Sequence, residues 1–158
     1  MGDQHDHFMA IAIEEAKLGL RDGEQPFGAV VVFNGTVVSR TRSLKVSTFD
    51  PTAHAETLAV QYACKKLQRR VLSDCRLYTT CEPCPMCCGA ILNAGVSSLI
   101  IGARKSAVRL LPNWKSSFHN FTIEKLLEIT GCNLEIIYGV LQNECIEMYR
   151  NADTLLTR

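Results

Sequence analysis

The stretch Gly28-Ala29-Val30-Val31-Val32-Phe33-Asn34-Gly35-Thr36-Val37-Val38-Ser39 sets the frame for the chain. Two β-branched runs meet at Asn-Gly, a pair that tolerates the positive φ angles of a two-residue hairpin turn. Outward from this hairpin the pattern alternates. Upstream, Phe8, Ile11, Ile13, Ala16, Leu18 and Leu20 give residues 8–20 the broad apolar face of a helix. Downstream, Asp50-Pro51-Thr52 offers turn and cap chemistry, and residues 53–70 read as a helix. Arg76–Thr80 reads as a strand, and Pro85 suits the first position of a helix over 85–94. Ser98–Ile101 is a strand again. Residues 103–121 show no period and read as a long functional loop. Thr122–Thr130 is a short helix closed by Gly131, Leu134–Ile137 a last strand, and residues 141–155 a last helix. This order predicts one α/β domain over residues 1–158: a three-layer αβα sandwich, helices covering both faces of a mixed sheet.

Apolar residues make up 47% of the 158 and charged residues 21%, enough to bury a core. Seventeen basic residues against sixteen acidic ones leave a formal charge of +1. That balance argues against a protein that lives by gripping phosphate backbones, although a local basic patch escapes such an average. No apolar run approaches the roughly twenty residues of a membrane helix. The first residues, Met1 to His7, are polar and lack the pattern of a signal peptide. The expectation is a cytoplasmic protein with no membrane partner. Eight cysteines in a chain with a core then read as reduced thiols, some of them on metal, rather than as a disulfide framework.

Two segments carry chemistry. Asp50-Pro51-Thr52-Ala53-His54-Ala55-Glu56 is followed about thirty residues on by Thr80-Cys81-Glu82-Pro83-Cys84-Pro85-Met86-Cys87. Together they spell H-x-E and P-C-x-x-C, the known signature of zinc nucleobase deaminases. Cys84 and Cys87 are three apart at a helix start, so both sulfurs share one face. His54 opens the preceding helix, and two helix N-termini aimed at one point favour thiolates. One imidazole and two thiolates leave the fourth position of a single Zn2+ open to water, whose pKa zinc brings to about 7. Glu56, in the same first turn as His54, is placed to carry that water's proton. The alternative is a closed structural site of the Cys3His kind, with Cys81 as the fourth ligand and no task for Glu56. Trp114 and Phe118 in the long loop could stack on a planar ring, and His119 could line a pocket.

With these motifs the sequence resembles the cytidine deaminase superfamily, in its branch of guanine, cytosine and tRNA adenosine deaminases. The resemblance runs from Pro26–Val31 through Asp50–Glu56 and Thr80–Ala90 to Ile101–Arg104. It implies a five-stranded sheet, zinc on His54, Cys84 and Cys87, and Glu56 as proton shuttle. It also implies substrate held near Phe27, Ala29 and Ala55, and a homodimer whose neighbouring subunit helps close the pocket. One position departs. Where the family has an asparagine eleven residues before the ligand histidine, this chain has Ser43. A hydroxyl replaces an amide's carbonyl and two N–H donors, so Ser43, or Arg42 beside it, is expected to read a different ring substituent.

The sequence favours hydrolytic deamination of a small-molecule nucleobase, guanine-like or cytosine-like. A tRNA-specific adenosine deaminase acting at the anticodon wobble position is the alternative, and a non-catalytic structural zinc module a second. The segment after Gly102-Ala103-Arg104 lacks the Lys-Thr-Gly-Ala stretch of the tRNA enzymes. The net charge is near zero, and Val108–Trp114 has the apolar character of a lid over a small ligand. These three features weigh against tRNA, whereas the tail Tyr138–Cys145 is similar to the end of the tRNA enzymes.

Overall fold

The computed structural model describes residues 2–111, 118, 120–150 and 152, with only the backbone of residue 3. Helix α1 (Gly2–Arg21) leads into strands β1 (Gly28–Phe33) and β2 (Thr36–Arg42), followed by α2 (Ala55–Leu67) and β3 (Cys75–Cys81). Then come α3 (Pro85–Ala94), β4 (Ser98–Ala103), the short α4 (Lys105–Val108), α5 (Ile123–Thr130), β5 (Glu135–Tyr138) and α6 (Gln142–Arg150). The sheet order is β2-β1-β3-β4-β5. Strand β1 runs antiparallel to both its neighbours, whereas β3, β4 and β5 are parallel, so the sheet is mixed as expected.

The hairpin turns where its sequence says it should. Asn34 and Gly35 have φ of 48° and 72°, the left-handed pair that matches the twist of the flanking strands. Side chains then alternate across the sheet. Val30, Val32, Tyr78 and Ile100 face α1 and α6, packing on Phe8, Met9, Ala12, Met148 and Tyr149. Ala29, Val31, Leu77, Leu99 and Ile101 face α2, α3 and α5, packing on Ala59, Ala63, Ile91 and Ile123. Both faces are covered, which is why the central strands read as unbroken apolar runs.

Four boundaries differ from the sequence reading. Helix α1 starts at Gly2 rather than at residue 8, and its first turn is tied down: the His5 ring nitrogen Nδ1 lies 3.0 Å from the Tyr78 hydroxyl. Helix α2 is trimmed at both ends, because His54 takes the N-cap in extended conformation and Gln68 turns left-handed with φ 53°. Residues 105–108 of the expected loop form the helical turn α4, anchored by the buried Lys105 and Val108. Helix α6 ends at Arg150, and most residues past it, like residues 112–117 and 119, lie outside those described.

The arrangement has one functional consequence. The N-termini of α2 and α3, the end of β3, the start of β1 and the end of β2 all gather at one end of the sheet. That is where open α/β sheets bind ligands.

Candidate active site around a metal-binding cluster

His54 and Cys84 hold equivalent places, each the N-cap of its helix with extended backbone. Neither side chain caps the helix it precedes, which leaves the ring and the sulfur free to point outward. Pro85 follows Cys84 at the first helical position, where a missing N–H costs nothing. One turn on, Cys87 is fully buried, while His54 and Cys84 are half-buried. His54 Nδ1 lies 3.5 Å from each sulfur, and the two sulfurs are 3.6 Å apart.

These three distances can be tested against zinc. Bonds of about 2.3 Å to sulfur and about 2.0–2.1 Å to nitrogen give a tetrahedron with edges of about 3.6 Å (N–S) and 3.8 Å (S–S). The residues fit. The donor set also wants a cation. The contact with Cys87, and after it the hydrogen bond with His54, pulls the Cys84 thiol down to about 4, while its contact with Cys84 and burial push Cys87 far up. Among the described residues, the group of His, Cys, Asp and Glu able to share one ion is His54, Cys84 and Cys87. Cys81 does not join it, and Cys88 turns its thiol to the Pro83 carbonyl at 3.7 Å. Among the described residues, no fourth protein ligand of a closed structural site joins the group.

Glu56 is buried to within 5% and reaches the cluster's edge, its Oε2 lying 3.5 Å from Cys87 Sγ. Its other oxygen, Oε1, accepts from the Thr79 hydroxyl at 3.0 Å. Burial first, and then the negative charge of Cys84, push the Glu56 pKa up. The His54 pKa is raised too, chiefly by its hydrogen bond with Cys84, with the charge of Glu56 adding to it.

The remaining expected site residues divide. Phe27, Ala29, Ser43 and Ala55 come together. Ser43 N–H donates to the Phe27 carbonyl (3.1 Å), and the Thr41 hydroxyl lies 2.7 Å from the Ala55 carbonyl and 3.3 Å from that of Ala29. Ser43 is 1% exposed and its hydroxyl has no partner among the described residues. Arg42 is not available to read a base. Strand alternation turns it to the α1 side, where it pairs with Glu15 (3.1 Å) and Asp22 (2.9 Å). Phe118 is 48% exposed and its carbonyl meets Arg109 at 3.4 Å, a contact on the α4 side rather than at the cluster. Trp114 and His119 lie outside the described residues.

Several working groups were missed in the sequence. Thr79 orients Glu56, and the Thr57 hydroxyl lies 3.4 Å from Cys87 Sγ. Glu24, 1% exposed, accepts N–H bonds from Val46 (2.9 Å) and Ser47 (2.7 Å) and so pins the loop between Ser43 and His54. Glu82 takes the Lys105 N–H at 3.0 Å, and Lys105 Nζ donates to the Pro83 carbonyl beside Cys84 at 3.2 Å. The signal for Thr79 was present: a Thr-Thr pair at the end of an otherwise apolar strand needs buried partners. Glu24 had no local signal, since its partners are about twenty residues away.

Comparison with known proteins agrees with this geometry. A tRNA-specific adenosine deaminase of Bacillus subtilis is 38% identical over 144 residues, spanning 90% of this chain and 84% of that protein. A structure from studies of A-to-I editing by tRNA:A34 deaminases at the wobble position superposes with TM-score 0.77 at 30% identity. It covers 90% of this chain and 98% of its own. A guanine deaminase of Bacillus subtilis is 47% identical over 88 residues, but these span 55% of this chain and 56% of that protein. The expectation of a free-base deaminase is overturned by the extended match to the tRNA-specific enzymes. The missing Lys-Thr-Gly-Ala stretch, the near-zero net charge and the apolar loop on which it rested do not outweigh that match. The chain is a zinc-dependent deaminase. Residues 2–103 match the cytidine and deoxycytidylate deaminase zinc-binding region, and the chain belongs to that family.

Proposed function

We infer that this protein deaminates adenosine in tRNA, at the wobble position of the anticodon. The observation that carries this reading is the extent of the match to a tRNA-specific adenosine deaminase, 90% of this chain and 84% of the relative. A span of that length takes in α5 and β5 as well as the zinc segments.

In this reading His54, Cys84 and Cys87 hold one zinc ion. When bound there, zinc supplies Lewis acidity that makes a water a nucleophile at neutral pH. Glu56 moves the protons: Thr79 fixes Oε1, so Oε2 faces the cluster, carries the water's first proton to the ring nitrogen and then the added hydroxyl's proton to the departing amine. Water adds at the amino-bearing carbon, the C–N bond breaks, and carbonyl product and ammonia leave. Phe27, Ala29, Ala55 and Ser43 wall the base, the Ser43 hydroxyl being a buried polar group there with no partner among the described residues. The objection from net charge dissolves because an average of +1 says nothing about where the charges lie. Residues 1–158 acting as one domain, a homodimer and a cytoplasmic setting belong to the same proposal; eight free cysteines support a reducing compartment.

The test is ammonia and inosine release from an anticodon stem-loop with adenosine at the wobble position, beside free guanine, cytosine and adenine. Turnover of the stem-loop is expected. Glu56→Gln should cut it about a hundred- to ten-thousand-fold while the protein stays folded. Turnover of a free base with none of the stem-loop would refute the assignment.

A further inference from the structure

One stretch of this chain is basic without interruption. Between Glu56 and Asp74 there is no acidic residue, and in that interval lie Lys65, Lys66, Arg69 and Arg70. Lys65 and Lys66 occupy the last turn of α2, and Arg69 and Arg70 follow its left-handed end at Gln68. Arg69 is committed: it pairs with Asp74 and lies over the Phe33 ring at 5.0 Å. Lys65, Lys66 and Arg70 are exposed, and none has an ion-pair partner among the described residues. Three exposed cations thus lie within six residues at the C-terminal end of α2, in a protein whose net charge is +1.

Their position relative to the candidate site is set by α2. His54 caps its first turn and Glu56 lies within it, whereas the lysines close its last turn. Thirteen residues at about 1.5 Å each separate the two ends by about 20 Å. Along the way the outer face of α2 presents Gln61 and Tyr62, both exposed, with Lys65 Nζ 5.9 Å from the Tyr62 ring. It presents no carboxylate. A helix C-terminus favours lysine through its dipole, which accounts for Lys65 and Lys66. It does not account for Arg70, three residues beyond the helix.

We propose that Lys65, Lys66 and Arg70 form a docking surface for the phosphodiester backbone of the substrate RNA, away from its target base. This rests on the tRNA reading. A loop entering at the start of α2, with its stem lying along the helix, carries its stem phosphates to this cluster. Such contacts bind without reading sequence, release counterions, and fix the orientation in which the loop is offered to the site. The match is of charge and reach. These three exposed cations lie one helix length from the residues that would hold the reacting atom.

The experiment compares the zinc-loaded protein with a Lys65→Gln, Lys66→Gln, Arg70→Gln triple variant. Binding and turnover are followed from about 50 to 200 mM salt. One RNA carries a full anticodon stem and the other a stem cut short of the cluster. For the full stem, KM should rise by about tenfold or more and the slope of log affinity against log salt should fall by about three, with kcat unchanged. The short stem should not distinguish the two proteins. Unchanged affinity and slope for the full stem would overturn the docking surface while leaving the deaminase reading intact. A wild-type protein that neither binds nor converts any stem-loop would bring down that reading and this inference together. A variant that changes its sedimenting size, or loses thermal stability, with the same salt slope would assign the cluster to chain–chain contact or to helix capping. Either result overturns the proposal.

Discussion

Ser43 poses a trade between stability and function at a single atom. A buried hydroxyl without a partner costs about 1–3 kcal/mol, so the folded protein gains when it is removed. Ser43→Ala is therefore expected to raise Tm while raising KM for the RNA by about three- to tenfold, if the hydroxyl meets the base. Thermal melts and steady-state kinetics on the same preparation check both halves, and a rise in Tm with unchanged KM would leave Ser43 without a role in binding. Glu24 shows the opposite economy. Burial alone would raise its pKa, but the bonds from Ser47 and Val46 and the charge of Arg42 outweigh it and hold the carboxyl below its ordinary 4.5. A depressed folded-state pKa means that the unfolded chain takes up more protons as the pH falls. The stability is thus fully present above about 4.5 and lost as the pH drops through the lower, folded value. Glu24→Gln should cost about 1–3 kcal/mol at neutral pH by setting an amide N–H2 against a backbone N–H. It should also flatten the acid limb of a denaturant-measured stability curve, and an unchanged limb would refute this account of the loop's anchor.

At the scale of elements, the seam between α1 and β1 depends on one missing side chain. A Cβ at Gly28 would stand 2.0 Å from the Ala12 carbonyl oxygen and 2.9 Å from the Ala16 nitrogen, both backbone and unable to rotate away. Gly28→Ala should push α1 off the sheet at a cost of about 1–3 kcal/mol or more, seen as a lower denaturant midpoint. Because the Gly28 N–H also bonds Thr80 Oγ1 at 3.2 Å, KM should rise with it. A midpoint within experimental scatter of the parent would count against the tight crossing. Elements were legible in the sequence where local chemistry decides them. Asn34-Gly35 fixed the hairpin, Pro85 the start of α3, and Thr122 with Gly131 the two ends of α5, with the Thr122 hydroxyl accepting from the Lys125 N–H at 3.4 Å. They were illegible where distant partners decide. The polar first turn of α1 is helical with His5 against Tyr78, seventy-three residues away, and α4 is anchored through Glu82. Arg42 was misplaced for a similar reason: side-chain direction follows from strand register, which only the pairing with β1 determines.

The zinc segments were legible because a metal imposes residue type and spacing together, whereas substrate choice depends on surfaces spread over the whole molecule. Net charge is a weak guide for that reason, as it sums α1–β2 pairs such as Arg40–Glu15 with exposed cations such as those at the end of α2. The metal in turn reports on the whole fold. The three side chains that would hold it come from the N-caps of α2 and α3 and from the first turn of α3, so binding would join two of the helices that cover one face of the sheet. An ion bound by the folded chain alone stabilises it by RT ln(1 + [L]/Kd), about 4 kcal/mol at a thousandfold excess over Kd. Chelation should therefore abolish turnover and lower Tm, and both should return when zinc is added back. Glu56→Gln should keep the full zinc-dependent rise in Tm, since Glu56 lies outside the group that could share one ion. Hydrogen exchange should quicken first at the N-termini of α2 and α3, with the α1–α6 face slower to respond. A Tm indifferent to chelator, in protein shown by elemental analysis to have lost its zinc, would mean that the cluster does not couple the two helices. Packing on Ala59, Ala63 and Ile91 would then hold them unaided.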